Sequence, residues 1–300
     1  MLARAGLPGF TYVRAVTRDE VVRLLGQHGP DARLLMGGTD LLVRMRDGVI
    51  APKVVVDVKA VPGMRDIAYD PESGLSIGAA VTLNQVARHR HVRKYYPLLA
   101  EAAGSVAYYQ VRNRATLGGN LSNASPAADT APAVLVLEGR IVLYGPGGER
   151  EVAAEEFFLG PGRSACRPEE FVTGIRVPIP PASGKGKYLK LGRNKAGDLA
   201  VVGAAVFGYP DQCAPSGYSF RLALASVAPT PLRVHEAEQV FSESKPGKGV
   251  FALAARKAME VATPIDDIRA SASYRKEMVR NLVLRGLEQV WGELESRSER

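Results

Sequence analysis

Two glycine pairs, Gly37-Gly38 and Gly118-Gly119, each close an apolar run and open onto hydroxyl or amide side chains. The first lies in Leu34-Leu35-Met36-Gly37-Gly38-Thr39-Asp40-Leu41 and the second in Thr116-Leu117-Gly118-Gly119-Asn120-Leu121. Glycine adopts backbone conformations closed to other residues and lets another group come close to the amides. Either pair alone is compatible with a plain turn. Together they point to an elongated anion held from two sides, which means a dinucleotide. Gly37-Gly38 precedes a short helical pattern, whose exposed amides favour negative charge. Ser122, Asn123, Ser125 and Asp129 follow the second pair closely and offer groups for ribityl and ribose hydroxyls, with Asp129 as a hydroxyl acceptor.

Around these turns the pattern is α/β. Thr17-x-x-Glu20 predicts a capping box ahead of a helix carrying Val21, Val22, Leu24 and Leu25, ended by Gly29-Pro30. Ala32–Met36 and Val54–Val58 read as strands on either side of the first glycine turn and its helix. A strand at Leu75–Ala80, a capping box at Thr82-x-x-Gln85 and a helix beginning at Pro97 follow. Val111–Asn123 reads as irregular, Thr130–Glu138 as a short apolar helix, and Arg140–Tyr144, Glu151-Val152 and Phe171–Val177 as strands. The proline- and glycine-rich stretch from Pro178 to Gly186 reads as a linker. Beyond it come three strand patterns and then helices, the last at about 273–291 with Met278, Leu282, Val283, Leu287, Val290 and Trp291 on one stripe. The expected division is a first domain over 1–178, with subdomains of about 1–58 and 59–178, and an α+β domain over 186–300.

Several chemistries are disfavoured. The fingerprints G-x-G-x-x-G and G-x-x-x-x-G-K-[ST] are absent, as is a G-x-S-x-G elbow. Cys166 and Cys213 have no metal-type spacing and cannot hold an iron–sulfur cluster, which takes four thiolates. His89 and His91, two apart, would face different sides of a helix. Asp266-Asp267 reads as a charge pair at a helix start rather than an acid–base dyad. The net charge of +8 is scattered, and its densest stretch, Arg88 to Lys94, is short, so it suits an anionic cofactor or acidic partner chains better than nucleic acid. No apolar run approaches the roughly 18 residues of a membrane span. Gly6 and Pro8 interrupt any leader-like stretch at the N-terminus, so a cytoplasmic location is expected. Binding loops without a nucleophile or base suit a carrier of a redox cofactor.

The chain resembles the FAD-binding medium subunits of the xanthine dehydrogenase and carbon monoxide dehydrogenase family of molybdenum hydroxylases, from about Phe10 to Glu288. The marks are the two glycine motifs, the second continuing through Ser122-Asn123-Ala124-Ser125-Pro126-Ala127-Ala128-Asp129. Two more are Lys190-Leu191-Gly192-Arg193 through Asp198-Leu199-Ala200, and Asp267-Ile268-Arg269-Ala270-Ser271-Ala272 through Tyr274-Arg275. The resemblance implies an α+β architecture: two small α/β subdomains gripping FAD (the PCMH-type fold), then a C-terminal α+β domain with a three-stranded antiparallel sheet and helices. It implies that Leu34 to Leu41 form one phosphate loop and Thr116 to Asn120 the other, with Ser125, Asp129 and Lys190 also at the cofactor. It further implies a small subunit with two [2Fe–2S] clusters, a large molybdopterin subunit, a dimer of heterotrimers, and electron flow to NAD⁺, oxygen or another acceptor. A protein that keeps the fold for nucleotide binding or assembly, without electron transfer, is the alternative. Gly-Gly-Thr-Asp stands where the carbon monoxide branch tends to carry Gly-Gly-His-Ser, which points away from that substrate. The two cysteines cannot supply the extra cluster of the 4-hydroxybenzoyl-CoA reductase branch. Val106 stands where xanthine dehydrogenases place an aromatic residue near the flavin, with Tyr108 and Tyr109 close by.

Overall fold

The computed structural model describes residues 6–194 and 197–298. Residues 1–5, on which the reading of the N-terminus partly rests, 195–196 within the Lys190–Ala200 mark, and 299–300 lie outside them.

Three sheets organise the chain. Strands β1 (Thr11–Arg14), β2 (Ala32–Leu35) and β3 (Val54–Asp57) form a parallel sheet in the order β1-β3-β2. The valine run of β3 is buried throughout, as expected for a central parallel strand. The outer strand β1, not evident in the sequence, is tied down where the Tyr12 hydroxyl donates to Asp57 at 2.6 Å. The helix Arg18–His28 starts on Thr17, whose hydroxyl accepts from the Glu20 amide. The return bond of the expected capping box goes to Val16 instead, whose amide donates to Glu20 at 2.9 Å.

The second sheet is antiparallel. It is built from β4 (Ile67–Asp70), β5 (Gly74–Gly78), β6 (Arg140–Gly145) and β7 (Gly148–Ala153). The short hairpin β8 (Phe158–Gly160) and β9 (Arg163–Ser164) stands apart, and β10 (Phe171–Val177) completes the sheet in the order β4-β5-β10-β6-β7. The helices Leu83–Arg88, Arg90–Tyr95 and Pro97–Ser105 pack beside it. His89 sits between the first two in extended conformation (φ −64°, ψ 131°) rather than inside one helix. The His89 and His91 rings therefore meet edge to face, with centroids 5.5 Å apart, instead of facing opposite sides. Val111–Asn123 is not irregular either. It takes in the end of the helix Tyr109–Arg112 and all of the helix Leu117–Ser122, the second hidden from sequence reading because two glycines occupy its first turn.

The third sheet has four strands where three were expected: β11 (Lys185–Leu191), β12 (Val202–Pro210), β13 (Tyr218–Ala225) and the two-residue β14 (Leu232–Arg233). β14 is too short to leave a pattern. One face of this sheet, through Tyr188, Ala205, Phe207 and Ala223, joins the core of the preceding sheets. The other face packs under the helices Lys248–Val261 and Ala272–Ser298. On the last helix Val279, Val283, Leu287, Val290 and Leu294 are buried, while Met278, Leu282 and Trp291 flank that stripe.

Arg275, with a side chain only 2% exposed, fastens this helix to the sheet. It donates to the carbonyls of Val201 and Ser226 at 2.8 and 2.9 Å and to Asp267 at 2.7 Å. Asp267 thus has a structural anion's role, and the helix-start function falls to Asp266, which accepts from the Ala272 amide. Burial alone would raise the Asp267 carboxyl; bonds from Arg269, Arg275 and backbone amides outweigh it and hold the group well below the ordinary carboxylate range. A folded-state value below the unfolded one stabilises at neutral pH, and that stability is lost as pH falls through the folded value. Asp267→Ala should therefore cost about 3 kcal/mol at neutral pH by stranding a buried guanidinium. The gap to wild type should narrow below about pH 4, the ordinary carboxylate value. Urea melts at neutral and acidic pH would show both effects.

Candidate cofactor-binding cleft

The two glycine pairs meet. A Cβ on Gly37 would sit inside van der Waals contact of the Arg114 carbonyl oxygen and 3.0 Å from Ala115 Cα, so only glycine lets these backbones touch. Gly38 takes φ +77°, turning the chain toward the helix Leu41–Arg46. Among the described residues the amides of Gly37, Gly38, Thr39 and Asp40 donate to no protein acceptor. They form a row of unsatisfied donors at the loop.

The second pair is built differently. Thr116 caps its helix by accepting from the Gly119 amide at 3.0 Å and donates to Met36 Sδ at 3.9 Å. Leu117 and Gly118 donate to the carbonyls of Val81 and Ala79, both at 3.0 Å. A Cβ on Gly118 would lie 2.7 Å from Ala79 Cα, so this glycine serves packing. Gly119 differs: a Cβ there would meet only Thr116 Oγ1, at 2.8 Å, and otherwise project into open space. Asn123 Nδ2 donates to Asp40 Oδ1 at 3.4 Å, joining the two loops directly.

Between the loops lies a cleft of about 330 Å³. Leu34, Met36, Gly37, Gly38, Thr39, Asp40 and Leu41 line one side, and Gly119, Ser122 and Asn123 the other. Ser122 Oγ is buried without a hydrogen-bond partner among the described residues. Leu35, Thr116, Leu117, Gly118, Asn120, Ser125, Asp129 and Lys190 are not among the residues that line it. Asn120 accepts from Thr130 Oγ1 at 2.6 Å, and Ser125 accepts from the Ala127 amide within its own turn.

Asp129 is 3% exposed and accepts from Tyr188 Oη and Lys190 Nζ, each at 2.7 Å. Lys190 also donates to the Ser105 carbonyl at 3.1 Å. Burial pushes the Asp129 carboxyl up, and the Lys190 ammonium opposes that shift. Tyr188 is raised well above the usual phenol range, first by burial and then by the Asp129 charge, so it remains a hydroxyl donor.

The floor of the cleft was not foreseen. Ser164, Cys166, Glu170 and Phe171 supply it, and Arg33 and Arg44 stand at its rim. Arg150 holds the Glu170 carboxylate with bonds of 2.8 and 2.7 Å, and these bonds keep that group below its ordinary range. Burial raises the Cys166 thiol to about 12, so it stays protonated and donates to the Glu170 carbonyl. A larger cavity of about 630 Å³ lies elsewhere, lined by Tyr95, Glu101 and Lys187 beside the 178–184 connection, and neither glycine pair reaches it.

Comparison with known proteins agrees with this geometry. A family model for the FAD binding domain in molybdopterin dehydrogenase matches residues 8–180, and one for the CO dehydrogenase flavoprotein C-terminal domain matches 187–290. The carbon monoxide dehydrogenase medium chain of Hydrogenophaga pseudoflava is 36% identical over 285 residues, covering 95% of this chain and 98% of that one. The xanthine dehydrogenase FAD-binding subunit of Escherichia coli O157:H7 is 29% identical over 276 residues, covering 91% and 92%. Among solved structures, a carbon monoxide dehydrogenase from Hydrogenophaga pseudoflava superposes with a TM-score of 0.91 at 35% identity, over 96% of this chain and 99% of that one. Quinoline 2-oxidoreductase from Pseudomonas putida 86 does so with 0.89 at 27%, over 97% and 100%.

The chain belongs to the FAD-binding medium subunits of the carbon monoxide dehydrogenase and xanthine dehydrogenase family of molybdenum hydroxylases. It is the flavin subunit of an oxidoreductase, with FAD as its cofactor. The donor set fits that group: free amides and rim arginines suit a diphosphate, and an orphaned hydroxyl suits a polar ligand atom. No described helix is long and apolar enough to cross a membrane.

The unequal glycines give a paired test. Gly119→Val, projecting into the cleft, should leave a folded protein that loses FAD on desalting, with affinity down at least about tenfold. Gly118→Val, driven into Ala79, should lower the melting temperature first. Flavin content and thermal melts measured on both variants separate the two roles.

Proposed function

We propose that this chain carries electrons through FAD, taking them from two [2Fe–2S] clusters of a small partner subunit and passing them to NAD⁺, oxygen or another acceptor. Substrate hydroxylation then belongs to a large molybdopterin subunit, and the complex is a dimer of heterotrimers in the cytoplasm. The observation that carries the reading is the meeting of the two glycine bends at one cleft with unpaired amides. Bound flavin supplies the redox step, so the protein need only bind, orient and shield it.

In this reading the amides of Gly37 through Asp40 hold the diphosphate, and Arg44 adds countercharge at the rim. Gly119 keeps the facing wall low enough for close approach. Thr39, Asn120, Ser122 and Asn123 bond the polyol and ribose hydroxyls. Lys190, fixed by Asp129 and the Ser105 carbonyl, sets a positive charge beside the redox-active ring. Residues 1–178 form the cofactor-binding unit and 186–300 the unit that brings Lys190 to it.

The test is anaerobic reduction of the assembled complex by the substrate of its large subunit. Flavin absorbance should bleach along with the cluster signals, and in the Gly119→Val complex the clusters should reduce with no flavin signal following. A wild-type complex whose clusters reduce while bound flavin stays oxidised would favour the assembly-protein alternative instead.

A further inference from the structure

The cleft that offers donors to a diphosphate also has two acidic residues in its lining, Asp40 and Glu170. Asp40 is exposed, so water carries its charge. Glu170 is different, with a side chain only 7% exposed. The bonds from Arg150 outweigh burial and keep its carboxyl below the ordinary range, so it is an anion at neutral pH. A buried anion without a partner is strongly disfavoured and takes what donors it can find. The donors left free on the same cleft are the amides of Gly37 to Asp40, with Arg44 at the rim. A diphosphate needs those same groups.

The structure holds Glu170 away from them. Arg150, on β7, takes both carboxylate oxygens, Nε donating to Oε1 at 2.8 Å and Nη2 to Oε2 at 2.7 Å. The Arg167 amide donates to Oε2 at 2.9 Å. Arg150 Nη2 also donates to the Ala165 carbonyl at 2.8 Å, so one guanidinium ties both ends of the 165–170 connection. Gly145 lies behind the Glu170 side chain, where a Cβ would come within 2.6 Å of Glu170 Cγ. Bare backbone at that point gives the side chain room to lie back against the β6–β7 hairpin. Arg150 itself does not line the cleft; it lines a separate hollow on the hairpin side, with Gly147, Gly148 and Arg167. Arg167 is the only other cation paired with Glu170 among the described residues. At 3.8 Å and 73% exposed, it is too distant and too solvated to replace Arg150.

We infer that Arg150 is a positioning residue for cofactor binding: it holds the Glu170 carboxylate behind the cleft floor, so that the diphosphate meets no internal competitor for the donors of the first glycine loop. The inference deepens the reading of the cleft as the FAD site and rests on it. Arg150 acts through Glu170 alone, from outside the cleft.

The experiment is titration of FAD into the flavin-stripped full chain at pH 8, followed by flavin fluorescence, with a thermal melt of each variant. Arg150→Met should weaken FAD binding about tenfold or more, because it frees a buried anion to occupy the donors. Adding Glu170→Gln to that variant should bring affinity back to within about threefold of wild type, since a neutral amide competes poorly for such donors. An arginine that merely stabilised the fold would gain nothing from the second change. Gly145→Ala crowds Glu170 from behind with Arg150 intact, and should also weaken FAD; it decides the matter if Arg150→Met does not fold. Arg167→Met should bind as wild type does. Wild-type affinity in Arg150→Met overturns the inference, as does a double variant no better than the single one, or unchanged affinity in Gly145→Ala. Retention of FAD by Gly119→Val removes the cleft reading first and this inference with it. Loss of FAD by Gly119→Val beside undiminished binding in Arg150→Met removes this inference alone.

Discussion

Backbone touching backbone is the constraint on which the rest of this structure depends. Gly37 lies against the Arg114 carbonyl and Gly118 against Ala79, so the parallel sheet, the Thr116 helix and the segment before it meet without side chains between them. That contact brings two loops, 80 residues apart in sequence, to the sides of one cleft. It also divides labour among the glycines. Gly37 and Gly118 make the approach possible, Gly38 supplies the turn, and Gly119 alone leaves space for a ligand. A shared sequence motif therefore contains both scaffold and site positions, which no inspection of the motif alone separates.

The donor arrangement follows from that packing. The second loop spends its own amides on Thr116, Ala79 and Val81, and so is rigid before any ligand arrives. The first loop leaves the amides of Gly37 to Asp40 without protein acceptors among the described residues. One wall is fixed by its own hydrogen bonds, and the other keeps donors that an anion can take up. This asymmetry is what suits the cleft to an anionic ligand.

Much of this was legible in the residues. The glycine pairs marked the loops because glycine's conformational freedom is a property of the residue itself. The valine run of β3, the caps at Thr17 and Thr82, and the proline at the start of the Pro97 helix are likewise local. What could not be read depended on tertiary partners. The helix holding Gly118 and Gly119 exists because Ala79, Val81 and Thr116 take its first amides, against its own propensity. The cleft floor at Ser164, Cys166 and Glu170 is set by Arg150 clamping Glu170 from a neighbouring strand. The partners that Asp129 finds within the protein, Tyr188 and Lys190, could not be read either, because they depend on β11 folding over it.

The pairing of Asp129 with β11 has a consequence for how the halves of the chain cooperate. Asp129 is buried in the first half, and its charge is compensated only by Lys190 and Tyr188 from the second. A buried carboxylate without its ammonium is strongly disfavoured, whereas the pair adds little net stability over an apolar substitute. The triad is therefore better understood as a lock on geometry than as a source of stability. It admits one register of β11 against the Asp129 segment, because a shift by one residue would carry Tyr188 and Lys190 to the other face of the strand. Docking of the C-terminal sheet and placement of the Lys190 ammonium against Asp129 and the Ser105 carbonyl are thus one event, set by one carboxylate.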